Sequence, residues 1–243
     1  MSEVESKVYF DDCMKFLLAY EDNEFDIAIV DPNYGINAPK MSMGHKPKNT
    51  STSVKLRKGR LNNGAGKLKN RGLNTMDCSW DEEIPDHYYF DQLFRVSKHQ
   101  IIWGGNYFDL PPTRCIICWD KCQPWDNFSQ WEMAWTSFDM PAKMYRISNT
   151  GGNNKEEKIH STQKPIALYD CLYRDFVLNK KIFDKSPSEI KVLDTHLGSG
   201  SNRISAQKAG VNFMGMEKVK QYYDSQEKRF KIHSMSHKLN FNG

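Results

Sequence analysis

The sequence predicts an α/β fold, a doubly wound and mainly parallel sheet with helices between its strands. Two observations support this prediction. Helical and strand patterns alternate through the second half of the chain, and two of the predicted strands end in polar, turn-forming residues. The length of 243 residues suits one large domain of this class, so we expect residues 1–243 to form a single domain with a basic insertion at 38–76.

Short apolar segments predict the elements of the first half of the chain. A run of β-branched residues such as FDIAIV, at 25–30, is typical of a buried strand. Pro32 removes a ladder donor, so that strand should end before it. The other expected elements are a helix at 13–19, a helix at 88–96, and strands at 100–103 and 114–119.

Residues 124–144 are rich in aromatic side chains. Phe128, Trp131 and Trp135 are spaced three and four apart, which favours one face of a helix. We expect most of these side chains to pack in the core, with one or two left as candidates to stack on a planar ligand.

The second half of the chain alternates regularly between the two patterns. Strands that alternate with helices are typical of parallel sheets with crossover connections. The expected order is helix 166–178, strand 190–193, helix 201–209, strand 212–216 and helix 219–230.

The net charge of +4 is unevenly distributed. Residues 38–76 contain ten Lys and Arg and no Asp or Glu, so this segment carries +10 and the remainder carries −6. A dense basic segment gains free energy beside a polyanion, because binding releases condensed counterions. A solvated loop without a partner is the alternative that charge alone leaves open.

The sequence gives no indication of a membrane or of an oxidising compartment. It has no apolar run of the roughly 18 residues that span a bilayer, and residues 1–7 are too polar for a signal peptide. The six cysteines are therefore expected as free thiols in a cytoplasm, with no membrane partner. Cys115, Cys118 and Cys122 lack the fourth ligand and the paired spacing of a zinc site. The first two should lie on opposite faces of a strand, so no metal is expected.

The first polar strand end follows the strand at 190–193 and reads DTHLGSGS over 194–201. Gly198 and Gly200 let the chain turn tightly and let a ligand approach the backbone. The helix that follows presents unpaired N–H groups to a polar ligand. Glu217 ends the next strand, 17 residues beyond Gly200, and a carboxylate there suits the two hydroxyls of a ribose. The pattern indicates a ligand that contains adenosine.

The second polar strand end is Asp31-Pro32-Asn33-Tyr34. An Asp-Pro turn alone indicates only that a strand has ended. Tyr34, at the exposed edge of the sheet, adds an aromatic face on which a base can stack.

Three motifs in this order resemble the β class of amino-group DNA methyltransferases. That class carries a D-P-P-Y motif after one strand, and a T-Q-K-P segment and a glycine-rich cofactor loop late in the chain. Here the counterparts are residues 31–34, residues 162–165, and residues 194–201 with Glu217. The resemblance covers nearly the whole chain outside the basic insertion, and the segment GGNYF at 104–108 is similar to small phage-type members.

The resemblance implies a Rossmann-like methyltransferase fold, S-adenosyl-L-methionine as the cofactor, and methyl transfer to the exocyclic amine of a base flipped out of double-stranded DNA. Tyr34 would stack on that base, and the Asp31 carboxylate and the Pro32 carbonyl would accept its amino hydrogens. Asp31 at the first motif position favours N6 of adenine, with N4 of cytosine as the alternative. The expected setting is a bacterial cell or a phage-infected host, and a monomer and a homodimer both stay open.

Two further groups of site residues follow from the resemblance. Residues 198–200 would hold the methionine end of the cofactor, Glu217 would hold its ribose, and residues 162–165 would close the pocket. The full cofactor set is Asp194, Leu197, Gly198, Ser199, Gly200, Ser201, Glu217, Thr162, Gln163, Lys164 and Pro165. Residues 120–158 would contribute target recognition. The basic insertion would contact DNA through Lys46, Lys48, Lys55, Arg57, Lys58, Arg60, Lys67, Lys69 and Arg71.

Asn33 departs from the motif, because the class carries proline at this position. Loss of the fixed proline φ loosens the turn, which leaves a DNA-binding relative without turnover as one rival. RNA and protein amide methyltransferases place the cofactor loop before the catalytic turn, the reverse of the order here. A nicotinamide oxidoreductase would carry a third glycine where this chain has Arg203.

Overall fold

The computed structural model describes residues 4–36, 81, 83–122, 129–149, 158–160 and 162–239. Within these ranges the chain forms one sheet of eight strands and five α-helices. The strands are β1 Ser6–Phe10, β2 Phe25–Val30, β3 Ser97–Trp103, β4 Ile116–Asp120, β5 Trp131–Thr136, β6 Lys143–Arg146, β7 Lys191–Asp194 and β8 Asn212–Glu217. The helices are α1 Cys13–Leu17, α2 His87–Val96, α3 Ile166–Leu172, α4 Ser201–Ala209 and α5 Lys220–Leu239.

The strand order is β1-β8-β7-β2-β3-β5-β4-β6. Five of the seven neighbouring pairs are parallel, and β5 runs antiparallel to both β3 and β4, which confirms the mainly parallel sheet. From β2 the chain proceeds outward to β3, and from β7 it proceeds outward to β8 on the other side. The direction of winding therefore reverses between β2 and β7. Ligands of open α/β sheets bind at such a switch point, beyond the carboxyl ends of the strands.

Alternate residues of β2 pack on opposite faces of the sheet. Ile27 and Ile29 belong to the hydrophobic cluster that α3 and α4 complete. Ala28 and Val30 belong to a second cluster, which α1 and α2 complete. All six residues of β2 are buried, because helices cover both faces of the sheet.

The prediction of a helical face through Phe128, Trp131 and Trp135 is wrong. Trp131–Thr136 is strand β5, and Phe128 lies outside the described residues. β5 is hydrogen-bonded to β3 on one side and to β4 on the other, and pairing within a sheet outweighs a helical spacing of three residues. Trp135 is buried as expected, whereas Trp131 is 49% exposed.

The two edge strands, β1 and β6, are not predicted by the sequence patterns. Both are short and contain charged residues, SKVYF and KMYR, so they lack the apolar runs of the central strands. Cys115 directly precedes β4 instead of lying inside it; it is buried and Cys118 is partly buried. The predicted helix 166–178 is confirmed as α3 followed by a π-helical turn at Tyr173–Val177. In the part of the chain that is described, no helix has the length and hydropathy needed to cross a membrane.

Candidate active site

A cleft opens at the switch point, beyond the carboxyl ends of β2 and β7. The predicted site residues that line it are Asp31, Pro32, Asn33, Tyr34, Thr162, Gln163, Lys164, Leu197, Gly198, Ser199, Ser201 and Glu217. Pro165, Asp194 and Gly200 belong to the same segments but do not line the cleft.

The catalytic turn, Asp31–Tyr34, follows β2 directly. Its backbone is held by Asp81, whose Oδ1 accepts hydrogen bonds from the N–H groups of Tyr34 at 2.8 Å and Gly35 at 3.0 Å. The Tyr34 hydroxyl donates to Asp31 Oδ1 at 2.6 Å. These bonds close the turn although Asn33 lacks the fixed φ of proline.

The Tyr34 ring packs against a glycine turn that follows β3. Gly104 has a φ of +72°, and a Cβ atom there would lie 2.1 Å from Tyr34 Cε1, so only glycine fits this close to the ring. Tyr107 stacks on Tyr34 with ring centroids 4.9 Å apart and planes 14° apart. Because Tyr107 is 41% exposed, the pair presents an aromatic surface beside the cleft.

Lys164 connects the T-Q-K-P segment to the catalytic turn. Its ammonium group contacts Asp31 Oδ2 at 2.5 Å, the Tyr34 hydroxyl at 3.1 Å and Glu132 Oε2 at 3.2 Å. The first two contacts are hydrogen bonds, whereas the contact with Glu132 Oε2 is an ion pair without a hydrogen bond. The Lys164 side chain is 2% exposed, so its charge requires pairing inside the protein. Glu132, on β5, also forms an ion pair with Lys121.

Burial and ion pairing together set the pKa values in this group. Burial raises the pKa of Asp31, and Lys164 opposes that rise. Burial alone would lower the pKa of Lys164, but the carboxylates of Asp31 and Glu132 outweigh burial and raise it. Burial likewise opposes ionisation of Glu132, but Lys164 and Lys121 outweigh it and lower the pKa of that carboxyl. Burial also raises the pKa of Tyr34, which stays a neutral hydrogen-bond donor.

The glycine turn, residues 194–201, joins β7 to α4. Gly198 and Gly200 have φ values of +50° and +71°, in the left-handed region that glycine adopts without strain. Glu217 closes the turn from the end of β8. Its Oε2 accepts from the Gly198 N–H at 2.9 Å, and its Oε1 accepts from the Val219 N–H at 2.8 Å. Each carboxylate oxygen keeps a further lone pair for a ligand hydroxyl.

Asp194 supports the glycine turn from inside the protein. Its Oδ1 accepts from the His196 N–H at 3.1 Å, and its Oδ2 accepts from the Asn202 amide at 3.0 Å. The same Asn202 amide donates to the Ile29 carbonyl at 3.0 Å, so one side chain ties α4 to both β2 and β7. Burial raises the pKa of Asp194 to about 7.

The T-Q-K-P segment is joined to the glycine turn by hydrogen bonds. Ser201 Oγ donates to the Lys164 carbonyl at 2.8 Å. Arg229, on α5, donates to the Ser199 carbonyl at 2.7 Å. His160 lines the cleft just before the segment, and burial lowers its pKa to about 3, so its imidazole is neutral there.

The basic residues predicted to contact DNA, Lys46 to Arg71, all lie outside the described residues. The description stops after Ile36 and resumes at Asp81, which is hydrogen-bonded to the catalytic turn. The described residues that flank the stretch 37–80 therefore lie close together beside the cleft. The predicted recognition region is described only over 120–122, 129–149 and 158.

Several residues of the site are not identified by the sequence patterns. Asp81 follows a basic stretch, and Glu132 lies on a strand that the aromatic spacing assigned to a helix, so neither position carries a local signal. Tyr107 belongs to the GGNYF segment, whose resemblance to phage-type members is the one signal that points to it.

Comparisons with known sequences relate the chain to DNA methylases. The N6/N4 methyltransferase family model, described as DNA methylase, matches residues 25–228. The type II methyltransferase M.HinfI of Haemophilus influenzae is 36% identical over 75 residues, which are 31% of this chain and 18% of that protein. The chain thus matches less than one fifth of the length of this relative.

Two solved structures illustrate the likeness in fold. The PvuII DNA methyltransferase, named as cytosine-N4-specific, has a TM-score of 0.50 at 12% identity, covering 95% of this chain and 92% of that one. The complex of M1.HpyAVI with SAM has a TM-score of 0.49 at 17% identity, covering 92% of this chain and 98% of that one. The likeness to the PvuII enzyme is one of fold alone, and it confirms the predicted Rossmann-like methyltransferase architecture.

Proposed function

The chain belongs to the DNA methylase family, and from this premise we propose that it transfers the methyl group of S-adenosyl-L-methionine to an exocyclic amine of a base in double-stranded DNA. The acceptor in this proposal is N6 of adenine. One observation carries it: Asp31 and the glycine turn with Glu217 line the same cleft at the switch point of the sheet. A carboxylate that accepts amino hydrogens thereby lies beside a site suited to an adenosine-containing cofactor.

The cleft suits S-adenosyl-L-methionine by the chemistry of its lining. In the described structure no side chain caps the N-terminus of α4, which leaves backbone N–H groups for a carboxylate. Glu217 offers lone pairs to ribose hydroxyls, and Thr162 and Gln163 line the cleft from the T-Q-K-P segment. When bound, the cofactor supplies an electrophilic methyl group attached to a sulfonium sulfur.

Asp31 orients the amine for attack. Its two oxygens keep lone pairs beyond their bonds with Tyr34 and Lys164, so the carboxylate can accept an amino hydrogen. The Pro32 carbonyl accepts the second hydrogen, which localises the nitrogen lone pair and directs it to the methyl carbon. A cofactor held by the glycine turn and Glu217 would supply the methyl group, and the methylated amine would then release one proton to solvent. Asp31 stabilises the positive charge that develops on the nitrogen.

The base must leave the duplex to reach Asp31, and Tyr34 provides the aromatic face on which it stacks. Tyr107 already occupies one side of that ring. The distance of 4.9 Å between the ring centroids leaves no room for a base between them. Entry of the base on that side therefore requires Tyr107 to move.

The basic insertion, 38–76, supplies the phosphate contacts in this proposal. Its charge of +10 favours a polyanion, and the adjoining residues lie at the cleft where the base must enter. Deletion of Lys46–Lys69 should sharply weaken DNA binding and leave cofactor binding intact. Unchanged DNA affinity after this deletion would remove the insertion from the binding surface.

N4-cytosine methylation is the second candidate, because the catalytic turn accepts hydrogens from any exocyclic amine. The PvuII enzyme, which shares the fold, is cytosine-N4-specific by name. A DNA-binding protein without turnover is the third, and Asn33 is the residue that favours it. Asp31 at the first motif position favours adenine by resemblance to the β class.

The experiment that tests the proposal is transfer of labelled methyl from S-adenosyl-L-methionine to mixed-sequence duplex DNA, followed by nucleoside analysis. N6-methyladenine, absent with Asp31→Ala and present with the surface variant Asp11→Ala, is the expected result. N4-methylcytosine would keep the mechanism and correct the base. Absence of transfer, despite measurable binding of cofactor and DNA, would favour the binding protein.

A further inference from the structure

Lys164, Glu132 and Asp31 form an ion cluster at the cleft, in which the lysine is buried and the two carboxylates are partly buried. The Lys164 ammonium lies 5.0 Å from the centre of the Trp103 ring, which is fully buried, so the cation has an apolar wall on one side. The ammonium group donates hydrogen bonds to the catalytic turn, and Glu132 adds an ion pair. Burying a cation between two carboxylates costs desolvation energy. A pocket that only binds the cofactor would not need this ion cluster.

We propose that Lys164 and Glu132 are positioning residues for Asp31. Lys164 fixes both oxygens of the Asp31 carboxylate, one directly and one through the Tyr34 hydroxyl. Glu132 pairs with Lys164 as a second anion, which weakens the pull of the lysine on Asp31 and keeps Asp31 a strong hydrogen-bond acceptor. The inference rests on the proposed function, in which Asp31 accepts an amino hydrogen.

The role of Lys164 follows from a closed ring of hydrogen bonds. Lys164 donates to Asp31 Oδ2 at 2.5 Å and to the Tyr34 hydroxyl at 3.1 Å, and that hydroxyl donates to Asp31 Oδ1 at 2.6 Å. A carboxylate held at both oxygens cannot rotate about its Cβ–Cγ bond without breaking one of them. The same ring fixes the Tyr34 side chain, so one cation orients both functional groups of the turn.

The role of Glu132 follows from charge. A lysine paired with one carboxylate alone would draw electron density from it and weaken it as an acceptor. Here the Lys164 charge is shared between Asp31 and Glu132. Lys121 pairs with the far side of Glu132, so two cations balance two anions in the cluster.

The groups that face Asp31 come from five parts of the fold. Lys164 is the cation among them, and Glu132 is an anion from the neighbouring strand. The full set is Tyr34 on the catalytic turn, Glu132 on β5, Lys164 before α3, Tyr169 on α3 and Asp194 on β7. Removal of Lys164 should therefore raise the pKa of Asp31, and removal of Glu132 should lower it.

The test uses the full-length protein with Lys164→Met and Glu132→Gln. Carbon-13 NMR titration of aspartate carboxyls, with Asp31→Asn to assign the signal, should show the pKa of Asp31 higher in Lys164→Met and lower in Glu132→Gln. The kcat for methyl transfer should fall about 100-fold in Lys164→Met and less in Glu132→Gln. Lys164→Arg should recover part of the rate because it keeps the charge.

Circular dichroism and thermal unfolding check that each variant is folded. Lys208→Met, which removes a surface lysine paired with Asp170, is the matched control and should change neither the Asp31 pKa nor kcat. Shifts in the same direction, or a wild-type kcat in both variants, would overturn the proposal. Opposite pKa shifts in a protein that transfers no methyl group to DNA would support the cluster and contradict the proposed function.

Discussion

The catalytic turn and the glycine turn follow neighbouring strands, yet they are held in different ways. The glycine turn is closed mainly by nearby residues: Glu217 lies 19 positions from Gly198. The catalytic turn depends on distant partners, since Asp81 lies 47 positions from Tyr34 and Lys164 lies 133 positions from Asp31. The glycine turn is thus held mostly by partners in the second half of the chain, whereas the catalytic turn is held by partners from across the whole fold.

This difference predicts how the two turns respond to mutation. Changes around the glycine turn should weaken cofactor binding and leave the rate with saturating cofactor unchanged. Changes around the catalytic turn should lower kcat and leave cofactor affinity unchanged, because positioning of the amine enters only in the transition state.

The largest expected effect is that of Asp31→Asn. It removes the negative charge that stabilises the developing cation, so kcat should fall by about 10²–10³. The cofactor Kd measured by calorimetry should stay at the wild-type value. A variant that binds cofactor more weakly instead would place Asp31 on the cofactor side of the comparison.

Gly104→Ala should have the second-largest effect. The added Cβ would meet the Tyr34 ring at 2.1 Å and the residue would keep a φ of +72°, so we expect a loss of about 1–3 kcal/mol from overpacking and about 1 kcal/mol from the left-handed backbone. Thermal unfolding measures the loss of stability, and kcat should fall as Tyr34 is displaced.

Gly210→Ala is the control for this substitution. Gly210 has a φ of +68° but open space around the new Cβ, so it should lose only the backbone contribution. Equal losses at the two glycines would show that contact with Tyr34 has no energetic weight.

Asp81→Ala should have a smaller effect, confined to the catalytic turn. It removes an acceptor shared by the N–H groups of Tyr34 and Gly35, at a cost of about 1–3 kcal/mol for leaving a donor unsatisfied. We expect a lower kcat and an unchanged cofactor Kd. Asp81→Asn keeps an acceptor oxygen and should retain more of the rate; the same loss in both variants would count against this hydrogen-bond role.

Glu217→Gln should have the smallest effect and should act on the other turn. Glutamine has one acceptor oxygen where Glu217 uses two, for Gly198 and Val219. The cofactor Kd should rise about tenfold, which is about 1.4 kcal/mol, and kcat with saturating cofactor should match the wild type. Asp224→Asn, at an exposed ion pair on α5, is the control and should leave both the Kd and kcat unchanged. A lower kcat in Glu217→Gln would contradict the difference between the two turns.

The sequence predicts the locally built part of the molecule well. Strand β2 and helix α4 follow from short patterns, FDIAIV and a helix after a glycine turn, and both are confirmed. The family resemblance is also confirmed. It could be predicted because each of its motifs is contiguous in the sequence. The roles of individual site residues stay predictions, as does the choice of adenine.

The parts that the sequence does not predict are those that depend on pairing across the fold. Trp131 and Trp135 fit a helical spacing, and only hydrogen bonds from β3 and β4 place them on a strand. Glu132 reaches Lys164 because of that strand. Asp81 contacts Tyr34, but nothing in the sequence between them predicts this contact.

The clamp of Asp81 on Tyr34 and Gly35 has a consequence for how this protein can diversify. Because the hydrogen bonds of Asp81 hold described residues on either side of the stretch 37–80 together, we expect the position of Asp31 to tolerate changes within that stretch. The entropy of closing a loop grows only slowly with its length. In the proposed function, insertions, deletions and exchanges in that stretch would therefore alter DNA binding while the chemistry stays in place, and a graft from a relative into this stretch would change one without the other.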